Sequence, residues 1–350
     1  MIAVSVTLSL AVLEVITRIF WDYLKAPIIH LSLKTHRLSD NEKLGYELIP
    51  NISARQDGTW YKINKDGLRD YHYPQRKLPG TYRIAAIGDS FTFGLGVEME
   101  HTWPKLLENK LRRLHPNSEV INFGVMGYDI HQLAEMIRIK ALQYDPCLIV
   151  LAYNLNDIGI FSRERKVLKQ HGRYHQFMVT SIGYVNHILS YSKLYMLIKD
   201  RLYLTHVQLD TEFSPGSLDK KNRSMVPVMV KIKKHYDQEE NLGRLSRAMN
   251  KIYQVRQSSV PVVIAIYPEL KDFRNYPYHE EHDIIEDIAT DVGFHVLDPL
   301  YAFQKHDAEK LRVRSTDTHP NNRANDLFTD ALLNFLHEKD LLPATHKSQL

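Results

Sequence analysis

Residues 82–90 read Tyr-Arg-Ile-Ala-Ala-Ile-Gly-Asp-Ser, an apolar run that ends in a glycine, an acid and a serine. The run at 82–87 has the length and composition of a buried β-strand. Residues 102–114 then carry apolar side chains at helical spacing, with Pro104 in the first turn, where proline is favoured. A buried strand that turns directly into a helix is the repeating unit of parallel α/β folds.

The same alternation continues on both sides of a long irregular segment. The pattern predicts strands at 82–87, 120–123, 147–152, 260–266 and 294–297, and helices at 102–114, 129–143, 240–257, 279–292 and 322–338. Strands that alternate with helices form a parallel sheet that is covered by helices on both faces. Such sheets bind ligands at the carboxyl ends of their strands, so we expect the functional residues to lie there.

The remaining segments frame this α/β domain, which we place at 81–342. We predict a membrane anchor at 1–24, a lead segment at 25–80 and a C-terminal tail at 343–350. Residues 158–240 interrupt the alternation, and a connection of about 80 residues is far longer than an ordinary loop. We interpret this stretch as an insertion and as a candidate cap over the site.

Composition excludes several classes of function. The chain has 350 residues, 44% of them hydrophobic, which is enough for a sizeable core. Its formal charge of +4 is small for this length, and without a dense basic stretch we expect no nucleic-acid partner. Cys147 is the only cysteine, so no disulfide can form within the chain. Glycine-rich phosphate-binding loops are absent from the sequence, and we expect no cofactor and no metal.

The N-terminus departs from this soluble pattern. Residues 1–13 carry no charged side chain, and Glu14 and Arg18 lie one helical turn apart, where they can partly neutralise each other. A spanning helix needs about 20 mostly apolar residues. The run predicts a transmembrane helix and membrane association through residues 1–22. An amphipathic or buried first helix is the alternative.

Candidate functional residues follow four of the predicted strands: Ser90 after the first, Gly127 after the second, Asn156 after the third, and Asp317 with His319 after the fifth. A serine becomes a nucleophile when an imidazole takes its proton and a carboxylate orients that imidazole. His319 is the candidate base and Asp317 the candidate acid. Each residue taken alone also has an ordinary interpretation, as a helix cap, a turn residue or a surface histidine.

In order and context, these motifs resemble the SGNH hydrolase superfamily, the GDSL-type esterases and lipases, over residues 81–340 without the insertion. The resemblance implies a three-layer α/β/α sandwich with a five-stranded, mainly parallel, flavodoxin-like sheet. Its signature residues would be Ser90, Gly127, Asn156 and His319. The usual acid of the family lies three residues before the histidine, where this chain has Thr316, whereas Asp317 lies two before it.

The resemblance implies an ester hydrolase that removes an O-acyl group, such as acetyl, from a carbohydrate or lipid through an acyl-enzyme. The oxyanion hole would comprise the N–H groups of Ser90 and Gly127 and the Asn156 amide. We expect Asp89, Asn154 and Asp157 to support these residues. The alternatives are an O-acyltransferase of envelope polysaccharide with the same Ser–His site and a non-catalytic glycan-binding protein.

Residues 64–70 and 87–96 are similar to those of bacterial members that carry an N-terminal membrane segment, some of which occur with envelope polysaccharide pathways. This likeness favours a small-molecule or glycan ester as the substrate. It also favours a location in the cell envelope, on the periplasmic side. A cytoplasmic location is the alternative.

Overall fold

The computed structural model describes residues 2–21, 34–159, 189, 191–198, 232–256, 260–315 and 317–343. The chain forms two compact units. One comprises Met1–Lys34 and Glu164–Pro227, and the other comprises Thr35–Arg163 and Val228–Leu350. Most of the predicted insertion, and with it the candidate cap, lies outside the described residues.

The smaller unit contains helix α1, Ile2–Ile19. Its charged pair forms as expected, with Arg18 Nε 2.7 Å from Glu14 Oε1. The Glu14 carboxylate also accepts hydrogen bonds from the backbone N–H groups of Lys193 and Leu194. Among the described residues, no helix combines the length and the apolar character that crossing a membrane requires. The predicted transmembrane helix is therefore not supported.

The larger unit carries the elements that form the sheet and its surroundings. In chain order they are β1 His36–Leu38, β2 Tyr46–Leu48, β3 Ile52–Gln56, β4 Thr59–Ile63, β5 Tyr82–Gly88, α2 Ser90–Phe93, α3 Trp103–Arg112, β6 Ser118–Asn122, α4 Ile130–Ile139, β7 Leu148–Tyr153, α5 Glu239–Val255, β8 Val262–Ile266, α6 His279–Val292, β9 His295–Leu297, α7 Leu300–Phe303, β10 Arg312–Arg314, β11 Asp317–Pro320 and α8 Asn322–Glu338.

The central sheet has five strands in the order β6-β5-β7-β8-β9, and every neighbouring pair is parallel. Numbered along the chain this order is 2-1-3-4-5, the flavodoxin-like arrangement. The predicted α/β class and five-stranded sheet are thus confirmed, and the sheet is parallel throughout. From β5 to β6 the chain moves across the sheet in one direction, and from β6 onward it moves in the opposite direction. Because the crossovers between parallel strands are right-handed, α3 lies on one face of the sheet, and α4, α5 and α6 lie on the other.

The lead segment has more structure than its mixed composition indicated. Strands β1 and β2 form one antiparallel pair, and β3 and β4 form another. A third antiparallel pair, β10 with β11, lies near the C-terminal end of the chain and carries His319. The two central strands β5 and β7 are buried almost completely. Their carboxyl ends therefore give a rigid base for the residues that follow them.

Candidate active site

The candidate nucleophile lies on the one-turn helix α2, directly after β5. Gly88 makes this sharp junction possible, because a Cβ there would lie 2.1 Å from Thr92 Oγ1 and 2.9 Å from the Ala152 carbonyl. Asp89 caps the helix, and its Oδ1 accepts a hydrogen bond of 2.9 Å from the Phe91 N–H. Ser90 thus stands at the first position of the helix, beside N–H groups that have no partner within the helix.

The structure brings Ser90, His319 and Asp317 together. His319 Nε2 lies 2.9 Å from Ser90 Oγ, and His319 Nδ1 lies 2.5 Å from Asp317 Oδ1. Both acid and imidazole belong to β11, where alternate side chains share a face. The two-residue spacing therefore suits a strand, and it explains geometrically how an acid at 317 reaches the imidazole.

The contacts with His319 stabilise the negative charge of the Asp317 carboxylate. Burial alone would raise its pKa, but the hydrogen bonds and charge of His319 outweigh that effect and lower the pKa below its usual value. A carboxylate that stays ionised holds a proton on Nδ1 of the imidazole. Nε2 is then free to accept the proton of the Ser90 hydroxyl.

Three candidate oxyanion donors face no competing acceptor. Within the described part of the chain, no atom accepts a hydrogen bond from the Ser90 N–H, the Gly127 N–H or the Asn156 side-chain amide. Asn156 lies in the short 3-10 helix Leu155–Ile158. Asn154 Oδ1 accepts from the Asn156 N–H at 3.0 Å, and Asp157 Oδ2 accepts from the Asn154 N–H at 3.0 Å. This reciprocal cap fixes the loop that carries the amide.

Buried acids surround these groups. Burial raises the pKa of Asp89 to about 6, against hydrogen bonds from Phe91 and the charge of His319. Burial, followed by the charge of Asp89, raises the pKa of Asp157 well above its ordinary value. Burial also raises the pKa of Glu269, although Lys271 and His319 oppose the shift. Glu269 was not predicted from the sequence.

The lead segment supplies further support that the sequence did not reveal. Arg69 is completely buried, and its guanidinium donates to the carbonyl oxygens of Phe93 and Val97 at 2.9 and 2.7 Å. It therefore holds the C-terminal end of helix α2, where a positive charge is favourable. The neighbouring Asp70 accepts from the Asn122 N–H at 2.7 Å, at the end of β6.

Asn122 in turn joins the strand end to the helix. Its side-chain amide donates to the Thr92 carbonyl at 2.9 Å, and its Oδ1 accepts from the Gly124 N–H at 2.8 Å. The close approach at this point requires glycine, because a Cβ on Gly124 would lie 2.3 Å from the Phe93 nitrogen. The stretch Gly67-Leu68-Arg69-Asp70, whose likeness to bacterial relatives we noted, was the one signal that pointed to the lead segment.

No group of three or more His, Cys, Asp or Glu residues in the described ranges is placed to hold a metal ion. The arrangement at Ser90 is instead suited to acyl transfer. It combines a hydroxyl, an imidazole within hydrogen-bond reach, an orienting carboxylate and unpaired N–H donors.

The family that the sequence matches agrees with this chemistry. The sequence model of the GDSL-like lipase/acylhydrolase family matches residues 86–327, which is more than half of the chain. No curated protein sequence matches the chain. Among solved structures, LAE5, an alpha/beta hydrolase enzyme from the metagenome of Lake Arreo in Spain, is 14% identical, with a TM-score of 0.42 over 77% of this chain and 99% of that one. Axe2, an acetylxylan esterase from Geobacillus stearothermophilus, is 12% identical, with a TM-score of 0.44 over 78% of this chain and 100% of that one.

Proposed function

The chain belongs to the GDSL-like lipase/acylhydrolase family and is a carboxylic ester hydrolase, and on that premise we propose that it removes an O-acyl group, such as acetyl, from a carbohydrate or lipid through an acyl-enzyme at Ser90. The observation that carries this proposal is the hydrogen-bonded series from Asp317 through His319 to Ser90, with distances of 2.5 and 2.9 Å. It supplies a nucleophile, its base and the group that orients the base.

In the first half of the reaction, the Ser90 oxygen attacks the ester carbonyl while His319 Nε2 takes the hydroxyl proton. Asp317 stabilises the imidazolium that forms. The tetrahedral oxyanion accepts hydrogen bonds from the N–H groups of Ser90 and Gly127 and from the Asn156 amide. As the intermediate collapses, His319 returns the proton to the leaving alcohol, and the acyl group remains on Ser90.

In the second half, water repeats these steps. His319 Nε2 takes a proton from the water molecule as its oxygen attacks the acyl carbonyl, and the same three donors hold the second oxyanion. Collapse of this intermediate breaks the bond to the Ser90 oxygen, which regains its proton from His319. The carboxylic acid leaves, and the enzyme returns to its starting state.

A carbohydrate or lipid ester is the proposed substrate class. Support comes from residues 64–70 and 87–96, which are similar to those of bacterial members found with envelope polysaccharide pathways. The glycan is supported only by this likeness to other family members, whereas cleavage of an ester bond is supported by the geometry of Ser90, His319 and Asp317. The test must therefore examine the two separately.

The ester-cleaving step is tested by labelling with a fluorophosphonate and by release of p-nitrophenol from short-chain esters. We expect labelling of the wild type, and of a Ser53→Ala variant on the exposed face of β3, but no labelling of Ser90→Ala. Equal labelling of Ser90→Ala would refute the nucleophile. Release of acetate from acetylated oligosaccharides and from acetylated lipids, measured with the same three proteins, then tests the substrate class.

A further inference from the structure

The loop that carries Gly127 is a tight turn of defined type. The Tyr128 N–H donates to the Val125 carbonyl at 3.3 Å, which closes the four-residue turn Val125–Tyr128. Gly127 has a φ of +73°, and Met126 is not among the residues with positive φ. A positive φ at the third residue alone identifies a type II turn, which favours glycine at that position.

A type II turn differs from a type I turn in the orientation of its central peptide, here the one between Met126 and Gly127. In a trans peptide, the C=O and the N–H point in opposite directions. Whatever holds the Met126 carbonyl therefore also sets the direction of the Gly127 N–H. That N–H has no acceptor in the described residues, and it is one of the three candidate oxyanion donors.

A side chain of the lead segment holds this carbonyl. The Tyr46 hydroxyl donates to the Met126 carbonyl at 2.9 Å, from a position 80 residues earlier in the chain. Tyr46 is completely buried. Its ring meets the Tyr128 ring edge-on, with centroids 5.1 Å apart, and the Tyr128 hydroxyl donates to the Tyr46 carbonyl at 2.6 Å. Burial and this ring contact, both of which a phenylalanine at position 128 would keep, leave the Tyr46 hydroxyl little freedom to move away from the carbonyl.

We propose that Tyr46 is a positioning residue for catalysis, which fixes the Met126–Gly127 peptide so that the Gly127 N–H points at the oxyanion. This inference rests on the proposed function, because it requires an oxyanion at Ser90. It makes strand β2 of the lead segment part of the catalytic apparatus. Without the Tyr46 hydroxyl, the peptide can rotate toward the type I orientation, and the donor turns away.

The test compares two variants that each lose one buried hydroxyl. Tyr46→Phe removes the bond to the Met126 carbonyl, whereas Tyr128→Phe removes a bond to β2 and leaves the Met126–Gly127 peptide untouched. Loss of a complete oxyanion donor costs about 100- to 1,000-fold in kcat. For Tyr46→Phe, where the turn keeps its glycine, we expect roughly a 10- to 100-fold lower kcat for p-nitrophenyl acetate with KM changed less than about threefold.

For Tyr128→Phe we expect kcat within about threefold of the wild type. Urea midpoints of the two variants, together with active-site titration by fluorophosphonate, separate a loss of folded protein from a loss of turnover. In a Gly127→Ala background, where the strained turn already misdirects the donor, adding Tyr46→Phe should change kcat by less than about twofold.

Two results would overturn the inference alone and leave the proposed function in place. Equal kcat for Tyr46→Phe and Tyr128→Phe, in a wild type that is labelled at Ser90, would overturn the role of Tyr46 and leave the proposed function intact. A full additional loss of kcat when Tyr46→Phe is added to Gly127→Ala would show that Tyr46 acts independently of the peptide. Absence of labelling at Ser90 in the wild type would instead overturn the proposed function and this inference with it.

Discussion

Replacing Asp317 by asparagine isolates the contribution of the acid, because the side chain keeps its size and loses its charge. The Asp317 carboxylate lies 2.5 Å from His319 Nδ1. An asparagine amide there can donate to Nδ1 and thereby favour the tautomer that carries its proton on Nε2. That nitrogen could then no longer accept the proton of Ser90. We therefore expect Asp317→Asn to lower kcat and to leave KM nearly unchanged.

The size of the effect follows from the position of the pair. The side chains of His319 and Asp317 are 22% and 13% exposed, so the pair lies near the surface, where an effective dielectric of about 20 applies. At roughly 4 Å between the centres of charge, the carboxylate then stabilises the imidazolium by about 4 kcal/mol. This corresponds to roughly a thousandfold in rate. The wrong tautomer adds to this loss, up to about ten thousandfold.

The assay is hydrolysis of p-nitrophenyl acetate from pH 5 to 10, with Asp66→Asn as the matched control. Asp66 contacts His72 Nδ1 at 2.9 Å, so the control makes the same chemical change in a histidine pair of the lead segment. We expect the control to retain full activity. If Asp317→Asn kept kcat within tenfold of the wild type, another buried carboxylate would be orienting His319, and the assignment of Asp317 as the acid would be wrong.

Three further predictions concern stability, each measured by urea unfolding. Burial raises the pKa of Asp89 to about 6, so its protonated carboxyl contributes fully to the free energy of unfolding below about pH 4, and this contribution of at most about 3 kcal/mol is lost as the pH rises through 6. Asp89→Asn keeps the helix cap and should weaken this pH dependence. An unchanged slope of the free energy of unfolding against pH would contradict the role of Asp89. Gly124→Ala should destabilise the protein by about 1–3 kcal/mol or more through the clash with Phe93. Gly243→Ala, inside α5, should stabilise the protein by up to about 1 kcal/mol. Similar effects of the two substitutions would count against the clash. Arg69→Gln should cost about 3 kcal/mol or more, because it leaves buried carbonyl oxygens unpaired, and a loss below about 1 kcal/mol would show that water replaces the guanidinium.

The sheet could be predicted from the sequence because its signal is local. Strands such as β5 and β7 are continuous apolar runs, and the helices that follow them repeat apolar residues at helical spacing. Predicted and observed bounds differ at most ends by one to a few residues, and α6 and α8 begin and end where predicted. Such ends depend on individual caps, which are the least predictable part of a helix.

The lead segment could not be predicted in the same way. Its strands are three to five residues long, and β3 alternates between intermediate, exposed and buried positions without a clean apolar face. Such short segments carry too few side chains to establish a period. One local signal was nevertheless missed: Asp57-Gly58, with positive φ at both residues, forms the two-residue turn of the β3–β4 hairpin.

The candidate site likewise contains residues that the sequence could predict and residues that it could not. Ser90, His319 and Asp317 lie together as expected, because residues at the carboxyl ends of parallel strands meet at one edge of the sheet. Their catalytic roles stay predictions until the variants are measured. The roles of Tyr46 and Arg69 could not be predicted because each side chain acts through a backbone carbonyl. A carbonyl accepts a hydrogen bond whatever its side chain, so the pairing leaves no trace in the sequence of the partner.

The hydroxyl and the imidazole of the site are 229 positions apart in the chain. During synthesis the serine therefore leaves the ribosome long before the histidine that is its proposed base. At about 5–20 residues per second, the interval is on the order of ten to fifty seconds. Throughout that time the nascent polypeptide carries the Ser90 hydroxyl without its imidazole partner, so the hydroxyl is no more reactive than an ordinary alcohol.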